Sequence, residues 1–189
     1  AQAVVTAATG GESICLNAGP ATSDWYTLSD IVVTESLVGD FSAPNANRSF
    51  TLGFSSGSFE FQAGVGNITV TGSGIGTTSI SVTSSAITVN ISIFNPSTSS
   101  INSFSISGIN VRATAAGTAE IRRTSGNMTI NGDEVVDAVN HGTLAANNPP
   151  VASISDDKGG VICSSELITF TGSPGGATNY EFILDPSGA

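Results

Sequence analysis

Charged side chains are scarce in this chain: only 11% of its 189 residues are Asp, Glu, Lys or Arg, against about 25% in an average soluble domain. Five basic residues face fifteen acidic ones, so the formal net charge is −10. Phosphate binding is driven by clustered Lys and Arg, and Arg122 and Arg123 form the only adjacent basic pair. The sequence therefore argues against a nucleic-acid partner, and we interpret the acidity as a source of solubility.

Long apolar runs and catalytic residue types are equally scarce. No apolar stretch approaches the roughly 18 residues of a membrane-spanning helix, so we expect no membrane insertion. The only histidine, His141, precedes a glycine and is expected in a loop, and no Gly-x-Ser-x-Gly motif accompanies it. One Trp and two Tyr leave little to line a sugar cleft, so we expect no glycosidase and no other enzyme. By residue type alone, four carboxylates qualify as a glycosidase pair: Glu35, Asp40, Glu60 and Glu120.

The chain has two cysteines, Cys15 and Cys163, and each follows an isoleucine after a glycine-containing turn. Two cysteines and one histidine exclude the usual zinc frameworks. One interpretation is a disulfide between the beginnings of two units. In the other, each cysteine marks the same strand of a repeating domain; Cys163 then finds its partner beyond Ala189, and Cys15 stays free.

Alternating hydrophobic and polar residues are abundant. Serine and threonine make up about a quarter of the chain, a surface composition that fits an extracellular β protein. In the clearest example, residues 87–93, every second side chain is Ile or Val and the others are polar, which predicts a strand with one buried face. The same period recurs about every ten residues between Gly-rich and Asn-rich turns, so we predict an all-β, antiparallel β-sandwich or jelly roll. Asn131 and Gly132 add a two-residue hairpin signal.

The pattern changes at Asn148, Pro149 and Pro150, after which four strand-like runs fill the remaining forty or so residues. A β-sandwich needs about a hundred residues to close two sheets over one core. We therefore predict a complete β-sandwich module at residues 1–148 and the first half of an incomplete, immunoglobulin-like sandwich at 149–189. Its missing strands come from the continuation of the chain or from a neighbour, and a candidate donor strand is Val4, Val5 and Thr6.

Clustered carboxylates suggest one ion. Calcium takes carboxylate and carbonyl oxygens from flexible loops, so it is the one cofactor for which the sequence offers candidate ligands. The alternative is solvated turn carboxylates, because the spacing is not that of an EF-hand. The candidates are Asp133, Glu134 and Asp137, with Asp156 and Asp157 just after the predicted boundary.

Trp25 and Tyr26 are adjacent, so in a strand they face opposite sides. One of them could then be exposed and stack on a sugar ring. The alternative is that the single tryptophan anchors the core.

Part of the second unit resembles a known family. Residues 161–172, which read Val-Ile-Cys-Ser-Ser-Glu-Leu-Ile-Thr-Phe-Thr-Gly, and residues 177–182, Ala-Thr-Asn-Tyr-Glu-Phe, resemble the PKD-like and immunoglobulin-like repeats of very large Bacteroidetes cell-surface proteins. That resemblance implies secretion through the type IX system and a role in adhesion, filaments or gliding motility. The first module is similar to the non-repeated domains of such proteins. Its residues 109–113 and 117–121 are similar to the last strands of cohesin-like sandwiches.

These observations together predict an extracellular, structural or adhesive module in a large multi-domain surface protein or filament. Its expected partners are other surface-protein domains or identical subunits. The alternative is a carbohydrate-binding module of a secreted protein, with glycans as the ligand.

Overall fold

A computed structural model describes residues 2–17, 22–42, 46–93, 100–135, 139–148, 153–156 and 170–173. It divides into two compact units, Ala1–Asn148 and Pro149–Ala189. The described residues form strands and turns, and none of them belongs to a helix that could cross a membrane.

The strands are short and follow one another closely. In chain order they are β1 (Val4–Thr6), β2 (Ile14–Cys15), β3 (Tyr26–Thr27), β4 (Ile31–Thr34), β5 (Phe41–Ser42), β6 (Ala46–Phe54), β7 (Phe59–Phe61), β8 (Asn67–Thr71), β9 (Ile75–Val82), β10 (Ala86–Ile93), β11 (Ser103–Ser107), β12 (Asn110–Ala113), β13 (Gly117–Ser125), β14 (Thr129–Ile130), β15 (Asn140–Asn147), β16 (Ser153–Asp156) and β17 (Phe170–Ser173).

Two sheets dominate the first unit. One has four strands in the order β1-β4-β11-β8, and the other has six in the order β2-β15-β13-β6-β10-β9. Neighbouring strands are antiparallel except β2 and β15, which run parallel. β10 alternates buried and half-buried residues along its whole length, as its sequence predicts.

The two sheets face each other across a common core. The ring of Phe50 in β6 lies 5.3 Å from that of Phe104 in β11, edge to face, and Phe41 lies 5.8 Å from Phe104 on another side. All three rings are fully buried. The predicted all-β, antiparallel sandwich is therefore confirmed.

Smaller sheets accompany the two large ones, and one of them corrects a prediction. Among the described residues, β14 pairs with β5 and with no strand that follows the turn at Asn131 and Gly132. The predicted hairpin is therefore wrong for this part of the chain, and residues 136–138 lie outside the described ranges. The turn itself exists, with Gly132 at φ +84°. A third sheet has the order β3-β12-β7, and in the second unit β16 and β17 form one antiparallel pair.

The candidate donor strand also has a different role. Val4, Val5 and Thr6 are β1, which pairs with β4 of the same chain, and Val5 packs against the core. The run is used inside its own module because its inward valine completes the apolar face of the four-stranded sheet.

Candidate functional site

The segment of residues 8–16 runs beside the last strand of the module in the same direction. Ile14 and Cys15 of β2 pair in parallel with Ala146 and Asn147 of β15, and a parallel bridge joins Ala8 to Gly142. We call residues 8–16 and 141–147 together the terminal clamp. It joins the point where the chain enters this sheet to the point where it leaves the module.

Backbone hydrogen bonds are spread along the terminal clamp. Ala8 N–H donates to the His141 carbonyl at 2.8 Å, Ala145 N–H to the Gly11 carbonyl at 2.9 Å, and Leu16 N–H to the Asn147 carbonyl at 3.0 Å. On its other side β15 pairs antiparallel with β13. β15 is therefore held between two neighbours and is not an edge.

Apolar packing supports these hydrogen bonds. The buried residues of the first segment and of β15 share one core, and Gly11 lies so close to Leu144 that a Cβ there would collide with its side chain. Apolar side chains shield the core face of the clamp from water, whereas its outer face is exposed, for example at Cys15 and Thr143. The buried side chains are Ala8, Ile14 and Leu16 on one side and Leu144 and Ala146 on the other.

His141 lies in the clamp, where its side chain is fully buried. Its Nε2 is 3.0 Å from Oδ2 of Asp133, also fully buried, and its Nδ1 is 3.0 Å from the Val139 carbonyl. Its ring packs edge-on against Phe50 at 5.7 Å. The prediction of a loop histidine is wrong, because contacts with distant residues place His141 in a strand.

Arg123 completes this buried polar cluster. Its guanidinium donates to the carbonyls of Asp133 and Met128 and lies 5.1 Å over the Phe50 ring. The cluster thus ties the turn before β15 to β13 and to the core. Both carbonyls, the Oδ2 of the carboxylate and both ring nitrogens of the imidazole are directed at protein atoms, which is a structural arrangement.

The candidate calcium ligands differ in burial and position. Asp133 is not a solvated turn carboxylate, because it is buried with its Oδ2 3.0 Å from His141 Nε2. Glu134 is exposed, and Asp156 ends β16. Asp137 and Asp157 lie outside the described residues. Within the described ranges, no three His, Cys, Asp or Glu side chains come together as a metal site.

A second buried polar cluster joins the ends of β4 and β11. Oε1 of Glu35 accepts hydrogen bonds from the N–H groups of Gly39 and Phe41, and Oε2 accepts from both N–H and Nδ2 of Asn102. Oδ1 of Asn102 in turn accepts from Gly74 N–H at 3.0 Å. One carboxylate and one amide therefore fix three turns of the sandwich.

Asp40 extends this cluster toward β14. Burial by itself raises the pKa of its carboxyl, but hydrogen bonds from the Leu37 N–H, the Asn131 side-chain amide and the Ser36 N–H outweigh burial and hold the pKa below its usual value. Glu35 and Asp40 are thus committed to backbone amides. The remaining glycosidase candidates, Glu60 and Glu120, pair with arginines, so the structure supplies no free carboxylate pair from this set.

The two candidate sugar-stacking residues differ in exposure. Trp25 is 37% exposed and does not anchor the core, and the Arg112 guanidinium lies 4.6 Å from its ring centroid. A cation therefore covers one face of the indole. Arg112 also pairs with Glu60. Tyr26 packs against the core, and its hydroxyl accepts a 3.4 Å hydrogen bond from Cys15 N–H.

Cys15 is exposed in β2 and has no disulfide partner among the described residues. Cys163 lies outside the described residues. A bridge between the two remains a sequence prediction.

No family model matches the chain, and no curated protein matches it. Among solved structures, the cohesin module from Clostridium perfringens ATCC13124 family 33 glycoside hydrolase aligns with 78% of this chain and 96% of its own length, at 10% identity and a TM-score of 0.36.

Proposed function

We propose that residues 1–148 form a load-bearing structural module of an extracellular chain of modules, with adhesive and not catalytic use. The observation behind this proposal is the parallel terminal clamp. Sequence residues 161–172 and 177–182, which resemble repeats of Bacteroidetes surface proteins, support a cell-surface location and type IX export. Partners are then neighbouring surface domains or identical subunits.

The direction of the clamp strands decides how the module responds to tension. The chain enters the clamp at Ala8, after β1, and leaves it after Asn147, and the two clamp segments run parallel between these points. Once β1 has separated from β4, tension applied at both ends of the module makes the clamp segments slide along each other. Their hydrogen bonds are then loaded together, whereas an antiparallel hairpin pulled at its open end loses one bond at a time.

The surroundings of the clamp resist such sliding. The clamp residues Leu144 and Ala146 are buried in the core, and the His141–Asp133 pair anchors the start of β15. Breaking the clamp therefore exposes apolar surface and breaks the buried His141–Asp133 contact at the same step. Both effects raise the barrier to unfolding under load.

Single-molecule force spectroscopy tests the proposal with the full chain held by its two ends. Ala8→Pro removes the N–H that donates to His141, and we expect unfolding under load to become about tenfold faster, equivalent to about 1.4 kcal/mol of barrier. Ser55→Pro is the matched control, because it removes an N–H that donates to the Glu120 carbonyl outside the clamp. Both variants are first compared in urea.

Two results would count against the load-bearing role. One is a wild-type module that unfolds at forces too low to resolve from the noise. The other is equal acceleration under load in both proline variants, because the clamp would then contribute no more than any other backbone hydrogen bond.

Glycan binding is a second candidate function, favoured by one cleft. An open cleft of about 610 Å³ lies between the turns after β6, β9 and β12, lined by hydroxyl groups together with Phe54, Phe59 and Glu60. Hydroxyls, a carboxylate and an aromatic side chain are groups that bind sugars. A glycan array with wild type and Glu60→Ala tests it, and an array without hits would end this candidate.

A further inference from the structure

A long part of the sequence carries no charge at all. No Asp, Glu, Lys or Arg occurs between Glu60 and Arg112, although the chain as a whole has a formal charge of −10. This segment supplies β8, β9, β10 and β11. β8 ends the four-stranded sheet, and β9 ends the six-stranded sheet.

β9 is the long edge of the six-stranded sheet. It has eight residues, whereas β2 at the opposite edge has two. In the described part of the chain its strand neighbour is β10, and Thr77, Ser79 and Ser81 are exposed along it. Edge strands are normally protected by charges, prolines or shortness, and β9 has no charge and no proline.

The hydrogen-bonding pattern shows which backbone groups of β9 face outward. Thr83 N–H donates to the Ala86 carbonyl, and Ala86 N–H donates to the Thr83 hydroxyl, so the backbone of Thr83 faces Ala86. The backbone groups of the next residue, Val82, which lies opposite Ile87, therefore face away from β10. Continuing the alternation, the N–H and C=O of Ile80 point away from β10. The Val82 carbonyl, which also points away, is satisfied by Gly64 N–H at 2.9 Å.

A bulge limits how much of this edge can pair. Asn90 opposes Ser79 and Ile91 opposes Thr77, so Thr78 is an extra residue in β9. Bulges at sheet edges weaken pairing with other chains. Any association through β9 is therefore short and reversible.

The distribution of charge along the chain favours a second copy of the same chain as the partner of β9. Two molecules that each carry a formal charge of −10 repel each other when acidic surfaces meet. Approach through the strands of residues 61–111 brings no charged side chain of those strands into contact. A two-fold axis beside β9 places the same hydroxyl-rich strand on both sides, which makes the contact self-complementary.

We propose that β9 is a homotypic docking edge, at which a second copy of this chain pairs antiparallel with the first and continues the six-stranded sheet. Thr77, Ser79 and Ser81 of each copy line the contact. This pairing does not depend on the load-bearing role of the terminal clamp. It gives the module a lateral contact in addition to its covalent continuation along the chain.

The test is sedimentation equilibrium of the full chain up to about 1 mM, a concentration that detects even a weak contact. Ser79 lies next to the middle of β9, so a two-fold contact brings the two copies of residue 79 close together. Ser79→Lys and Ser79→Glu should each raise the dimer dissociation constant at least about tenfold, through like charges at the contact. An equimolar mixture of the two variants should recover dimers as mixed pairs.

Thr143→Lys is the matched control. Ser79 Oγ accepts a hydrogen bond from Asn90 Nδ2 and Thr143 Oγ1 one from Asn140 Nδ2, both at 2.9 Å, but Thr143 lies in the interior strand β15. The control should dimerise like wild type. A wild type that stays monomeric at about 1 mM in high salt, a control that loses dimers equally, or a Lys–Glu mixture that stays monomeric would each overturn the proposal.

Discussion

His141 Nε2 and Asp133 Oδ2 lie 3.0 Å apart with both side chains fully buried. His141 Nδ1 faces the Val139 carbonyl, an acceptor only, so Nδ1 is the protonated nitrogen. A proton must also lie between Nε2 and Oδ2 for that contact to be a hydrogen bond. The pair therefore holds the turn of residues 131–135 against β15 through one directed polar contact.

Asp133→Ala should destabilise the module by about 3–5 kcal/mol, because removing one partner leaves a buried polar group without compensation. Asp133→Asn should cost much less: its amide N–H can donate to Nε2 of a neutral imidazole. Oδ1 of Asp133 has no hydrogen bond to lose in the described structure. Urea unfolding at pH 7 measures both variants, and equal losses in the two would contradict this role for the contact.

Asp40 should make stability depend on acid pH. Hydrogen bonds to its ionised form hold its pKa below the usual value, and an unfolded Asp has a pKa of about 3.9. Folding therefore favours the carboxylate. The stability that it contributes is present above about pH 4 and is lost as pH falls through the lower, folded pKa.

Asp40→Asn should accordingly lower stability at pH 7 while changing it little at the most acid pH where the fold survives. Urea unfolding across pH 2–7 gives the comparison. Exposed Asp24 provides the control as Asp24→Asn. A stability difference between wild type and Asp40→Asn that stays constant across this range would show that the effect is not one of ionisation.

Alternation made most of the sandwich predictable from the sequence. Residues 87–93 form most of β10, and in β11 the side chains of Phe104 and Ile106 face the core, as their spacing indicates. Alternation works because one face of each strand is buried regardless of which strand lies beside it. It does not specify which strands are neighbours. The turn residues Asn131 and Gly132 predicted a hairpin, but in the described structure β14 pairs with β5.

The polar core could not be predicted in the same way. Asp133, His141 and Asn102 belong to residue types that are usually exposed. Asn102 binds Glu35, which is 67 residues away in sequence, and the rings of His141 and the distant Phe50 pack against each other. Only the fold brings such pairs together. The expectation that the single tryptophan lies in the core was wrong for the opposite reason: Trp25 is at the surface, where the Arg112 guanidinium lies over its ring.

Glu35→Gln should cost about 2–4 kcal/mol, although it changes a single atom type. The carboxylate accepts four N–H donors, and an amide would turn its own N–H₂ toward two of them. Glu12→Gln is the control, since exposed Glu12 accepts one bond from Gly10 N–H and should change stability by less than about 0.5 kcal/mol. Thermal unfolding distinguishes the two, and comparable shifts in Tm would refute the assignment.

Gly126 should not tolerate a side chain. Its φ of +112° is unfavourable for any other residue, and a Cβ would collide with the Ser49 backbone in β6. We expect Gly126→Ala to cost about 3 kcal/mol or more. Gly108 has φ +65° and open space around its Cα, so Gly108→Ala should cost only about 1 kcal/mol from the backbone term. The urea midpoints of the two variants give the difference between their stability losses, and this difference measures the cost of the collision with β6. Similar losses in the two variants would mean that β6 moves away from the added Cβ at little cost.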